Sequence, residues 1–267
     1  MTTWHIVSII ISAVNVCIAV GIVLTGKKTK SRYAALLLTL GCIFVSVALY
    51  RSVFVSSYPD RLAWYDTMLN SPFLIRSIAF FAELAFHGMI AAILRRIVKD
   101  LGINQAKGGR LLAALPLVGF WGVVLAQFFA YAGLVTQHLT LFAIEETLWA
   151  AAFICYVPVV IAGLKRRGGL GKSYRAFLIV MAVWCAGYLA FQCFYALPFS
   201  YYANLAQDAG RVVPPDALRQ AISGYVQTRD FDTWGGIGFF VWHTGYFSLC
   251  SWMTLLFMSL AREEKKK

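Results

Sequence analysis

Apolar residues run along this chain in seven long blocks separated by short polar intervals. The blocks cover residues 4–24, 33–53, 72–94, 111–131, 141–164, 176–199 and 237–260. Each is about 20 residues or longer, which is what a helix rising about 1.5 Å per residue needs to cross the hydrocarbon of a bilayer. The pattern predicts an all-α, polytopic integral membrane protein, a single seven-transmembrane-helix bundle over residues 1–267. Pro116 and Pro158 fall inside the fourth and fifth blocks. Neighbouring helices can satisfy the backbone groups a proline frees, so these two predict kinks and not breaks. The first block has no basic flank ahead of it and no small-residue cleavage site, so it reads as a retained helix and not a signal peptide. The longest connection is 200–236. Pro214-Pro215-Asp216 predicts a helix start there, Ala217–Val226 reads as a short amphipathic piece, and the whole segment is a candidate lid.

Composition points the same way. The 267 residues are 60% hydrophobic and 13% charged, with a mean hydropathy of +0.69. A soluble domain has about a quarter charged residues, so a soluble enzyme or a disordered chain is excluded. The net charge of +12 raises the possibility of a nucleic-acid partner, and its placement removes it. Eighteen of the 24 basic residues follow the odd-numbered blocks. They are Lys27, Lys28, Lys30 and Arg32; Arg95, Arg96, Lys99, Lys107 and Arg110; Lys165, Arg166, Arg167, Lys172 and Arg175; and Arg262 with Lys265–Lys267. The connections after even-numbered blocks hold only Arg61, Arg211, Arg219 and Arg229. The excess of basic loops on the cytoplasmic side of membrane proteins then predicts an external N-terminus and a cytoplasmic C-terminus. Anionic lipid headgroups account for these loops without nucleic acid, and a plasma (inner) membrane is the expected location.

What the topology leaves unexplained is polar residues inside the blocks. An ionisable group at bilayer depth costs about 2.5–3.5 kcal/mol on insertion scales, so each is a candidate site. Arg51, Arg76, Glu83, Glu145 and Glu146 are charged, and His87 and His243 join them. At about 100° per residue, Arg76, Glu83 and His87 share one stripe within about 40° on the third helix. Such a stripe must face the bundle interior. Glu145 and Glu146 are adjacent and diverge by about 100°, so one of them is expected to face that stripe and the other is free to reach the headgroups. On the sixth helix Cys185, Tyr188, Gln192 and Tyr195 fall on one face; the seventh offers His243 and Tyr246, and the fourth Gln127 and Tyr131. Arg51 lies near the outer end of the second helix, where snorkelling explains it. Asp66, beside the outer mouth, is a candidate partner for Arg51 or Arg76, and the aromatic residues Tyr58, Trp64 and Tyr65 around it read as an interfacial belt.

These residues predict an outward-facing intramembrane pocket that binds or transports a small solute, with proton linkage. A membrane-embedded enzyme using Glu83 as general acid on a lipid or isoprenoid is the alternative, and a non-catalytic membrane subunit the third reading. The partners expected are the bilayer and a small-molecule or lipid ligand. No cofactor is implied. No metal site is expected either, because the Glu-x-x-His pairs of carboxylate di-metal bundles are missing. All six cysteines (Cys17, Cys42, Cys155, Cys185, Cys193 and Cys250) lie inside blocks, so no disulfide framework is implied.

Familiar seven-helix families do not fit. Retinal-binding proteins need a lysine within the seventh helix, and 237–260 contains none. Four scattered histidines do not reproduce the zinc site of the progestin-receptor and ceramidase superfamily. Asp66-Thr67, Arg76-Ser77, Ala82-Glu83-Leu84 and Glu145-Glu146 with Trp149 resemble a group of polytopic seven-helix membrane proteins with no assigned activity. The resemblance covers helices three to five and omits His87. It implies the fold and adds no activity.

Overall fold

In the computed structural model residues 2–26 and 31–261 are described. Lys27, Lys28, Lys30, Arg262 and Lys265–Lys267 of the basic pattern lie outside the described residues. Helices dominate. They are α1 (Thr2–Gly26), α2 (Arg32–Val53), α3 (Pro72–Asp100), α4 (Gly109–Thr136), α5 (Leu139–Lys165) and α6 (Lys172–Phe191), then α7 (Ala217–Ser223), α8 (Gly236–Thr244) and α9 (Cys250–Ser259). Six helical runs among the described residues are long and apolar enough to cross a membrane, α6 being counted with its continuation to Asp208. The seventh apolar block is helical as well, in three pieces: α8, a π-helical stretch Gly245–Leu249, and α9.

The helices overrun the apolar blocks that predict them. α3 continues six residues past Leu94, and α4 and α5 keep Pro116 and Pro158 inside uninterrupted helix. The extension of α3, Arg95–Asp100, is largely polar and basic sequence that a hydropathy pattern cannot see. The short connections between these helices keep consecutive ones adjacent.

Burial identifies α3 as the central helix. Inside its apolar window 61% of the residues are buried, against 22–39% for the other five candidate spans. The outer faces are apolar instead. Leu111, Val118, Trp121, Leu125 and Phe128 recur at helical spacing along α4, and all are exposed. This inversion, apolar outside and charged residues inside, is what a lipid solvent demands.

Small residues bring α4 against α5. A Cβ on Gly119 would stand 2.6 Å from Cε1 of Tyr156 and 2.9 Å from the carbonyl oxygen of Ala152. Gly119 therefore makes the space that Tyr156 occupies, the usual reason for small residues between transmembrane helices.

The two long connections pair with each other over one end of the bundle. Strand β1 (Ser56–Ser57) pairs antiparallel with β2 (Leu62–Ala63), and β2 pairs parallel with β3 (Val226–Gln227). The register sets Ser56 opposite Ala63 and Leu62 opposite Val226. Segment 200–236 is thus tied down at several points. Asp208 accepts hydrogen bonds from the first backbone N–H groups of α5, Leu139 at 2.9 Å and Thr140 at 2.8 Å, capping that helix from outside it. Ser71, just ahead of α3, donates to the carbonyl of Ile222 at 2.5 Å. Arg61 donates to the last carbonyls of α4, Leu134 at 3.1 Å and Val135 at 3.0 Å. The short helix begins at Ala217, directly after the Pro-Pro-Asp run, and ends at Ser223, short of the expected Val226, because Val226 and Gln227 form the strand.

Candidate functional site

The centre of the site is Arg76, one turn into α3 and 1% exposed. Both of its terminal nitrogens are engaged, while Nε has no hydrogen-bond partner. Nη1 donates to Glu83 Oε1 at 3.0 Å; Nη2 donates to Gln127 Oε1 at 2.8 Å and to Glu145 Oε1 at 3.0 Å. Arg76 and Glu83 are seven residues apart, about 10.5 Å along the helix, which the long arginine side chain spans because both lie on one stripe. The same guanidinium joins α3, α4 and α5. Gln127 is held in turn, its Nε2 donating to the carbonyl of Val123 at 3.3 Å.

Tyr58, from the connection between α2 and α3, completes this layer. The guanidinium of Arg76 lies 5.1 Å from the centre of the Tyr58 ring, a cation–π contact. Burial first, and then Glu145, push the Tyr58 phenol up from its ordinary value, so the ring stays neutral over the cation. Hydropathy patterning assigns Tyr58 to an interfacial belt. Its position depends on the β1–β2 turn, and nothing local in the sequence marks that.

Glu145 and Glu146 divide as their spacing requires. Glu145 is the one that faces the stripe, at 2% exposure. Glu146 is half-buried and does not run out to the headgroups. It accepts from Gln192 Nε2 at 2.6 Å and from the Tyr201 hydroxyl at 3.5 Å. Gln192 opens a π-helical stretch, Gln192–Tyr201, that continues α6 and contains Pro198. The wider π turn rotates the residues that follow it, so Tyr195 is 58% exposed and leaves the face that Cys185, Tyr188 and Gln192 share. The expected four-residue stripe on the sixth helix is corrected to three.

The stripe on α3 also divides. His87 is fully buried, but Nδ1 pairs with the hydroxyl of Tyr156 at 3.0 Å and the ring sits among Phe86, Trp149 and Phe153. It belongs to an aromatic layer below the ion pairs, not to the ion pairs.

His243 is separate as well. Its ring packs against Trp4 at 5.0 Å and Phe247 at 4.4 Å, in a layer with His5 and Trp64. The expectation that His243 joins Arg76 and Glu83 is therefore corrected: its ring packs with Trp4, in the aromatic layer of His5 and Trp64 at the level of the cap. Arg51 does not snorkel. It is 4% exposed, with its guanidinium 5.4 Å from the Tyr246 ring centre and 5.1 Å from that of Phe247. Asp66 is exposed and forms no ion pair with Arg51 or Arg76.

Beside the ion pairs lies a cavity of about 50 Å³. Glu83, Phe86, Trp149, Phe153, Trp184, Tyr188, Tyr246 and Cys250 line it. Two buried polar atoms on its wall have no hydrogen-bond partner, Oε2 of Glu83 and Nε1 of Trp184. Buried polar groups are nearly always satisfied by protein or ordered water, so two orphans on one cavity mark a place for water or a bound molecule. Trp184 gives no signal in the sequence, where it is one aromatic residue among many. Among the described residues no group of three or more His, Cys, Asp or Glu side chains is placed to hold a metal ion.

The chemistry available is therefore a carboxylate with one free oxygen, held in place by an arginine whose two terminal nitrogens serve Glu83, Gln127 and Glu145. Compared with protein-family models, with curated proteins and with solved structures, the chain matches none.

Proposed function

We propose that this chain is a seven-helix multi-pass protein of a plasma membrane, with an external N-terminus and a cytoplasmic C-terminus. In this reading it binds a small solute in the cavity at Glu83 and moves it across the bilayer with proton linkage. The observation that carries the reading is Glu83 itself. One of its oxygens is fixed by Arg76 at 3.0 Å, while the other faces a cavity without a partner. A carboxylate kept only to fix helix register would have both oxygens satisfied, since an unsatisfied buried acceptor is costly.

The acidic balance supports proton linkage. Within the apolar blocks stand two arginines, Arg51 and Arg76, against Glu83, Glu145 and Glu146, an excess of one acidic group. A proton or a charged solute compensates for it, and exchange between the two couples their movement. The direction assigned rests on the basic residues between α3 and α4 and between α5 and α6, at the end opposite the paired loops.

The experiment is a thermal-unfolding screen of the purified protein against small solutes at mildly acidic and mildly alkaline pH. Wild type is expected to be stabilised by at least one solute, to a pH-dependent extent, and Glu83→Gln to lose that response while remaining folded. Identical responses in wild type and Glu83→Gln to every solute would contradict the reading.

A further inference from the structure

The wall of the Glu83 cavity also selects the class of solute. Resting on the reading above, we propose that the cavity takes a small monovalent ammonium cation, ammonium itself or a methylated ammonium of similar size. Its charge would be met by Glu83 Oε2 and by the rings of Trp149, Trp184 and Tyr188.

Three observations converge on this class. The first is the unused carboxylate oxygen: Arg76 is committed to Glu83 Oε1, Gln127 and Glu145, so it brings no donor to Oε2. A guest carrying N–H donors satisfies that oxygen. The second is the lining. Apart from Glu83 and Cys250, every residue around the cavity is aromatic. Aromatic rings present negative faces that attract cations, and rings grouped around a carboxylate are the usual receptor for an ammonium head. An anionic solute would meet a carboxylate, and no cationic side chain lines the cavity. The third is size. A cavity of about 50 Å³ has room for about three to four waters, which suits a cation of one or two heavy atoms and excludes bulky quaternary amines. A hard metal ion is disfavoured, since it needs six or more oxygen ligands where the wall offers one carboxylate and two phenols. The Trp184 N–H, also without a partner, is left for a water that accompanies the cation.

Of the other orphaned polar atoms, Asn15 Nδ2 on α1 and Ser251 Oγ and Thr254 Oγ1 on α9 bring no charge, and Arg61 Nε, Arg76 Nε, His87 Nε2 and His243 Nδ1 belong to residues that do not line this cavity. The excess acidic group makes the Glu83 cavity the stronger site.

The test uses the full chain in detergent, with thermal unfolding and tryptophan fluorescence as readouts. The probes are ammonium chloride, methylammonium chloride, tetraethylammonium chloride, sodium chloride and sodium acetate. The expected result is a saturable response to ammonium and methylammonium that sodium chloride and tetraethylammonium do not give. Glu83→Gln should weaken it about tenfold, the loss of one charge-assisted contact. Trp184→Leu, which leaves every charged group in place, should weaken it several-fold and keeps the test decisive if Glu83→Gln does not fold. Equal responses to sodium and methylammonium, or unchanged binding in both variants, would overturn the proposal. A Glu83-dependent response to acetate alone would overturn the cation but leave the solute-binding reading standing. No Glu83-dependent response to any probe or screened solute would remove both.

Discussion

Arg76 on α3 and Glu145 on α5 meet at 3.0 Å in the middle of the bundle, with side chains only 1% and 3% exposed. An ion pair so fully withdrawn from solvent is held less by its own attraction than by the cost of leaving either partner alone. Arg76→Leu leaves Glu83 and Glu145 without their cation, and a loss of about 3–5 kcal/mol is expected. Combining Arg76→Leu with Glu145→Gln should cost less than the two separate losses added together. Thermal unfolding of the three variants in one detergent checks this.

Tyr58 holds the same cation through its ring. Tyr58→Phe keeps the ring and should change little, whereas Tyr58→Ala should lose about 0.5–2 kcal/mol of cation–π contact. The phenol sits above its ordinary value in the folded chain. Its neutral form is therefore the one favoured by folding, and that contribution is full below the ordinary tyrosine value of about 10. It is lost only as pH rises through the higher folded value. Unfolding followed from neutral to strongly alkaline pH should show wild type and Tyr58→Phe diverging only in the alkaline range.

Gly119 is required by the ring of Tyr156. Gly119→Ala places a methyl in a space already filled at 2.6 Å, and overpacking of this kind costs about 1–3 kcal/mol. Gly187→Ala is the control, because nothing stands within 4 Å of a Cβ there. If both variants unfold at the same temperature, the close approach of α4 to α5 is wrong.

The orientation is open to a labelling experiment. In a background where the exposed cysteines Cys17 and Cys193 are replaced by serine, Asp216→Cys and Lys107→Cys introduce thiols at exposed positions on opposite ends. A membrane-impermeant maleimide applied to intact cells should label Asp216→Cys and spare Lys107→Cys. The reverse pattern would invert the assigned topology.

Much of this arrangement is legible in the chain, and the reason is periodicity. Seven apolar blocks and the common stripe of Arg76 and Glu83 follow from helical repeat alone, and Gln127 falls at a depth that brings it to Arg76. Choices between neighbours were not legible. Nothing local decides whether Glu145 or Glu146 turns inward, because that depends on how α5 rotates against α3 and α4. The π turn at Gln192, which sends Tyr195 outward, leaves no mark in hydropathy; the one local cue is Pro198, six residues on, which brings no N–H to the ladder. Tyr58, Arg61 and Asp208 act through loops. Their partners lie 18, 73 and 69 residues away, beyond any pattern read in a short window. His243 is a related case, since the α8–α9 run contains a π stretch that a regular helical repeat does not foresee.

The claim on which the rest depends is that the cavity at Glu83 Oε2 is a binding site for a solute. The most direct measurement is an experimental density map of the protein purified in lipid, at a resolution where ordered waters are visible. The account predicts a solute-sized feature within about 3 Å of Glu83 Oε2, bounded by the rings of Trp184 and Tyr188. A cavity closed by those rings, or one in which Oε2 is satisfied by a protein donor, would contradict it.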